Sequence, residues 1–129
     1  MAVQIPIVQA LTQNIDQEKV SQIQWGGTGS TPLADGDTGT PVQLPQKSDM
    51  SFQATGTFGA GGSVAIEASN DGVNFFAVKD SYGTLVALTA AAPIARVNGP
   101  WLQIRPHATA GDGTTAIIVT GIFRTTFSR

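Results

Sequence analysis

Residues 63–75 read Ser63-Val64-Ala65-Ile66-Glu67-Ala68-Ser69-Asn70-Asp71-Gly72-Val73-Asn74-Phe75. Val64, Ile66 and Ala68 alternate with Ser63, Ala65, Glu67 and Ser69, the period of two that puts one set of side chains on each face of a strand. Asn70-Asp71-Gly72 follows, and these residue types tolerate the positive φ that a hairpin turn demands. The stretch predicts a half-solvated strand, a tight turn and a returning strand over 73–79.

The same period extends in both directions. Upstream, Met50, Phe52, Ala54, Gly56 and Phe58 share one face of a strand. Gly59-Ala60-Gly61-Gly62 has the look of a phosphate loop, but neither Gly-Lys-Ser/Thr nor a helix start follows, so it is expected to be a hairpin loop. Downstream, strands are expected at 84–89, 94–98, 101–106 and 115–124, separated by turn clusters at 80–83, 98–100 and 108–113, the last read as another hairpin. Seven or so short strands at regular spacing predict an all-β fold, an antiparallel β-sandwich of immunoglobulin-like or jelly-roll-like type with almost no helix. Phe52, Val64, Ile66, Leu102, Ile104, Ile118 and Ile122 are its expected core. A helical spacing is traceable only in 10–20, where Leu11, Ile15 and Val20 would allow a turn or two.

The patterning changes near residue 50. Residues 1–49 hold four of the seven prolines (Pro6, Pro32, Pro41 and Pro45) and a loose Gly/Thr/Asp stretch over 26–40. They are expected to form an extended N-terminal arm and long loop, with the sandwich over 50–129. Such an arm lies either on partner surfaces or back on its own sandwich. On the first reading Ile5, Ile7, Val8, Leu11, Trp25, Leu33 and Val42 are the candidate interface residues, because exposed apolar groups in so irregular a segment need a neighbour to cover them.

Composition favours assembly. Charged residues are 12% of the chain, against about a quarter in ordinary soluble domains, while 33 of 129 residues are Thr, Ser or Gln. A net charge of −2, with the basic residues scattered, argues against nucleic acid or an anionic membrane as a partner. There is no cysteine, hence no disulfide and no thiolate chemistry. The first basic residue is Lys19, so no secretory signal is expected. The uncharged run 85–95 is too short to span a bilayer, and a protein made in the cytoplasm is expected.

Several motifs invite a chemical reading. Asp37-Thr38-Gly39-Thr40 matches the Asp-Thr-Gly-Thr of aspartic proteases, whose two carboxylates share a proton. Here Ala34-Asp35-Gly36 precedes it instead of an apolar strand, and a turn accounts for the same letters. Asp35 and Asp37, with Asp71 and Asp112 on other turns, suggest a cation site, yet calcium needs six to eight oxygens and no downstream glutamate supplies them. His107, the only histidine, ends a strand with no nucleophile pattern around it. Trp25, Trp101, Tyr82, Phe75 and Phe76 are either core aromatics or a sugar-stacking platform. Phe75 and Phe76, being adjacent, must point to opposite faces of a strand.

The 63–75 stretch also resembles a recurring hairpin of small β-sandwich proteins in tailed-phage virions, roughly Ser-Val-x-Ile/Leu-Glu-x-Ser-x-Asp-Gly-x-Asn-Trp/Phe. Ile104-Arg105-Pro106, Gly111-Asp112-Gly113-Thr114 and a last apolar strand ending in Arg124 are similar too, so the likeness covers 51–124. Discoidin-like sugar-binding sandwiches share a comparable hairpin, but Phe75 stands at their usual Trp position and their sugar-binding loops have no counterpart. The phage resemblance implies a capsid decoration, or cement, protein located in the virion: no enzyme, no cofactor and no metal. Its implied partners are further copies of itself, most plausibly as a homotrimer, and the major capsid protein. The alternative is a glycan-binding or structural module of a phage tail.

Overall fold

The computed structural model describes residues 3–4, 7–11, 20–27, 29–44 and 47–125. Among these run eleven strands and no helix: β1 (Val3–Gln4), β2 (Ile7–Leu11), β3 (Val20–Trp25), β4 (Thr38–Gly39), β5 (Val42–Gln43), β6 (Lys47–Thr57), β7 (Ser63–Ser69), β8 (Phe76–Ala77), β9 (Ile94–Asn98), β10 (Gln103–Ala110) and β11 (Ala116–Thr125). One sheet has the order β1-β4-β10-β7-β8, with β5 also on β10; the other has the order β2-β3-β11-β6-β9. Pairing is antiparallel apart from β1 on β4. The two sheets pack face to face as a β-sandwich.

Alternation in the sequence becomes burial between the sheets. Met50, Phe52 and Ala54 of β6, Val64, Ile66 and Ala68 of β7, and Ile104 and Ala108 of β10 all point inward and are buried. Phe52 meets Phe123 edge-on, with ring centroids 5.5 Å apart, the arrangement that aromatic quadrupoles favour. Gly121 makes room for the pair: a Cβ there would lie 2.7 Å from the Phe123 ring. Pro106 occupies a central strand although it has no N–H to donate. It falls where the outer neighbour of β10 is interrupted, between the pairing of β5 with Gln103 and Ile104 and that of β4 with His107.

Four sequence expectations need correction. Ile118 and Ile122 are only half buried, because β11 turns Ile117, Val119 and Phe123 inward instead. Both sets are apolar, and the Phe52–Phe123 contact decides between them. Leu102 is 44% exposed; it sits at a bend before β10, its N–H bonded to the Ser69 carbonyl at 3.1 Å, so the alternation that buries Ile104 does not reach it. Regular pairing over 73–79 is confined to β8, and 84–89 contributes single bridges, Lys79 with Leu85 and Val64 with Leu88. Lastly, the loops expected as hairpins at 59–62 and 108–113 are not hairpins; 108–110 belong to β10, and the connections run over 58–62 and 111–115. Each steps from one sheet to the other, β6 to β7 and β10 to β11.

These two arches set the stacking: β7 stands over β6 and β10 over β11, so β8 and β9 flank the same margin. Of the helix expected over 10–20, Ala10 and Leu11 lie in β2 and Val20 in β3, and 12–19 fall outside the described residues. In the expected arm, β1 and β2 pair at the outer edges of the two sheets. Trp25, Leu33 and Leu44 join the core that β6–β11 build.

Candidate functional site

The carboxylates of the turns are engaged in holding backbone. Asp71 does not make a two-residue turn; it organises a longer loop. Its Oδ1 accepts the N–H groups of Val73 and Asn74 at 2.8 Å each and the Ser69 hydroxyl at 2.9 Å, while Oδ2 accepts the Asn74 amide at 2.8 Å. The Asn74 and Val73 N–H groups, with the side chains of Asn74 and Ser69, hold this carboxyl well below the usual carboxylate range. Asp112 latches the two arches together. Its Oδ2 accepts the Ala60 N–H at 2.8 Å and its Oδ1 accepts the Thr114 hydroxyl and N–H. The Thr114 hydroxyl, then the Ala60 and Thr114 N–H groups, bring its pKa from 3.8 down to about 2. Thr115 adds a bond from its hydroxyl to the Phe58 carbonyl, 2.9 Å.

Asp37 Oδ2 accepts the Ala34 N–H at 2.9 Å, and its backbone carbonyl accepts the Ala108 N–H at 2.8 Å. The protease-like letters thus lie on a buried segment, not the expected turn: Thr38–Gly39 is β4, paired with β10. Gly39 beside it packs on its neighbours so closely that a Cβ would lie 2.5 Å from the Trp25 ring and 2.7 Å from Pro106 Cδ. The described residues contain no group of three or more His, Cys, Asp or Glu able to hold a metal. Asp35, Asp37, Asp71 and Asp112 are not brought together as one such group.

Two ionic clusters decorate the outer faces. Glu67 takes Arg105 Nε at 3.0 Å and faces His107 Nδ1 at 2.9 Å, because the β7–β10 register sets Glu67 opposite Arg105 and diagonal to His107, which pairs with Ala65 on the same face. Arg105 lies 4.1 Å over the Phe75 ring, a cation–π contact. On the other sheet, Asp49 accepts bonds from Arg96, Asn98 and Arg124. Burial raises the Asp49 pKa, but the bonds and charges of Arg124 and Arg96 outweigh it and lower it overall.

The expected interface residues scatter. Trp25 and Leu33 are fully buried in the chain's own core, with the Trp25 indole N–H donated to the Thr40 carbonyl at 2.9 Å; neither is available to a partner. Val42 is half buried and packs on the core. Ile7, Val8 and Leu11 form β2, and Ile5 lies outside the described residues.

What sequence reasoning missed is the opposite margin. The large apolar side chains exposed among the described residues are Val73, Phe76, Tyr82, Leu85, Ile94 and Leu102, all within 73–102, with Tyr82 94% and Phe76 71% exposed. Phe76, Tyr82, Leu85 and Ile94 lie along the margin formed by β8 and β9, whereas Leu102 sits beside Leu44 and Ser69 at the start of β10. The 80–84 turn carrying Tyr82 is tied across to β9 by the Ser81 N–H on the Arg96 carbonyl, 3.0 Å, and by the Ser81 hydroxyl on Asn98 Oδ1, 3.1 Å. Two concavities meet at Asp80: one of about 310 Å³ between Tyr82, Ile94 and Ser51, and one of about 690 Å³ between Phe76 and Trp101. No protein-family model matches the chain, and neither a curated protein nor a solved structure is significantly similar to it.

Proposed function

We propose that this chain is a non-enzymatic structural protein of a virion, of the capsid decoration type, which docks on the major shell protein and stabilises it. The observation that carries the reading is the placement of exposed Phe76, Tyr82, Leu85 and Ile94 along the margin formed by β8 and β9. Soluble monomers rarely leave contiguous apolar surface open to water, and covering it gains about 25 cal/mol per Å². The low charge of the chain, 12%, reduces the desolvation that such docking costs. The resemblance of 63–75 to a virion-protein hairpin supplies the kind of partner, a repeating protein shell. Association of copies around the local three-fold positions of such a shell, as a homotrimer, belongs to the same reading.

Quantitative mass spectrometry of purified virions from the source of the sequence tests it. The expected result is a fixed copy ratio between this chain and the major shell protein. Particles that lack the chain, or carry it in traces that wash off with no fixed ratio, would remove the proposal.

A further inference from the structure

The 690 Å³ concavity is of the size that binds small molecules, about 300–1,000 Å³. Phe76 and Trp101 bring aromatic surface to it, and Asn74, Lys79, Asp80 and Asn98 bring polar groups. Trp101 is held in place: it packs on the core, and its six-membered ring lies so close over Gly99 that a Cβ there would overlap it. Phe76 projects from the edge strand β8.

The polar groups divide into those already used by the fold and those left over. Asn98 gives its amide to Asp49 and accepts from Ser81, and both oxygens of Asp71 are occupied. By contrast, Lys79 makes no side-chain hydrogen bond or ion pair among the described residues. Asp80 uses Oδ1 for the N–H groups of Tyr82 and Thr84, 2.8 and 3.0 Å, and leaves Oδ2 over. Asn74 commits its amide N–H₂ to Asp71 and keeps its carbonyl oxygen, and the Trp101 indole N–H is likewise uncommitted. Asn70 gives its carbonyl oxygen to the Leu102 N–H and keeps its amide, so three donors and two acceptors surround two aromatic surfaces.

That arrangement selects a ligand class. A purely apolar ligand would strip water from all five polar groups without replacing it. An anion would find a single ammonium, Lys79, set against the carboxylates of Asp80 and Asp71. A pyranose ring fits both demands, with a C–H face for the aromatics and hydroxyls that donate and accept at its rim. We propose that the Phe76–Trp101 concavity is a binding site for a neutral saccharide. This site shares Phe76 and Asp80 with the margin proposed for shell docking, but it does not rest on that reading, because the test uses the free chain and no shell.

The full chain, titrated with neutral oligosaccharides and with sialylated or uronic-acid counterparts, gives the test. Trp25 is fully buried, so a ligand-dependent change in tryptophan emission reports on Trp101. The expected result is saturable binding of at least one neutral oligosaccharide, weakened about tenfold or more in Phe76→Ala and also weakened in Lys79→Ala. Both side chains are exposed, and an unchanged thermal melt would verify that each variant is folded. Three results would overturn the proposal: no emission change with any neutral oligosaccharide, a preference for the acidic ones, or undiminished binding by both variants.

Discussion

Two long stretches of this chain, 20–44 and 70–102, are alike in sequence and opposite in structure. Both are rich in glycine, proline and turn-forming polar residues, and both hold scattered large apolar side chains. The first buries them: Trp25, Leu33 and Leu44 enter the core, and the Trp25 indole is pinned to Thr40. The second divides them, burying Val78, Val86 and Leu88 while leaving Tyr82, Phe76 and Ile94 in solvent. Irregular backbone therefore does not mark an apolar residue as available to a partner. What decides is the neighbouring strand: Trp25 on β3 and Leu33 at its bridge to Ile117 both pair with β11, whereas Phe76 and Ile94 sit on the edge strands β8 and β9.

The sharpest way to break this comparison is to truncate the buried anchor. Trp25→Ala should cost about 3–5 kcal/mol in urea unfolding, the range for removing a large aromatic from a packed core. A loss below about 1 kcal/mol would mean that 20–44 only leans on the sandwich. Gly39→Ala should cost about 1–3 kcal/mol by overpacking, since Trp25 and Pro106 are both too confined to move aside. An unchanged melt would show that the 38–40 segment is not pressed against them.

Asp112 offers a smaller effect with a distinctive signature. Its folded pKa, about 2, lies below the ordinary 3.8, so its contribution is fully present above about pH 4 and is lost as pH falls towards 2. Wild type should be more stable than Asp112→Ala at pH 7, and the gap in melting temperature should close over that window. A gap independent of pH would assign the effect to packing rather than to the carboxylate latch. Smallest of all, Tyr82→Ser should change stability by no more than about 0.5 kcal/mol, as for other surface positions. A larger loss would show that the 70–102 stretch buries Tyr82 after all.

Much of the sandwich was legible because β6, β7 and β10 are apolar on one face only. Phe52, Val64, Ile66 and Ile104 are buried as that alternation requires. β11 was ambiguous for the opposite reason: Ile117, Val119 and Phe123 compete with Ile118 and Ile122, and only contact with another strand chooses between them. The arches at 58–62 and 111–115 carry the same glycine and aspartate residues that hairpins use, and local sequence does not say which sheet the next strand joins. The candidate site was less legible still. Leu33 has no period that ties it to a core and Trp25 shares its face of β3 with only one other apolar residue, Ile23, while Tyr82 and Ile94 are the residue types that usually fill a core. Asp71 was readable as a turn residue, but three of the four hydrogen bonds its carboxylate accepts come from Val73 and Asn74 in the loop beyond it.

The account rests on the exposed margin being the one that meets the shell. Sedimentation of full-length protein with virions stripped of it, comparing wild type with the Tyr82→Glu/Ile94→Glu double variant, tests that most directly. Wild type should co-sediment and saturate at a fixed ratio, while the double variant, folded by its melt, should bind at least about tenfold more weakly. Equal binding by the two proteins would contradict the account and move the contact to another surface.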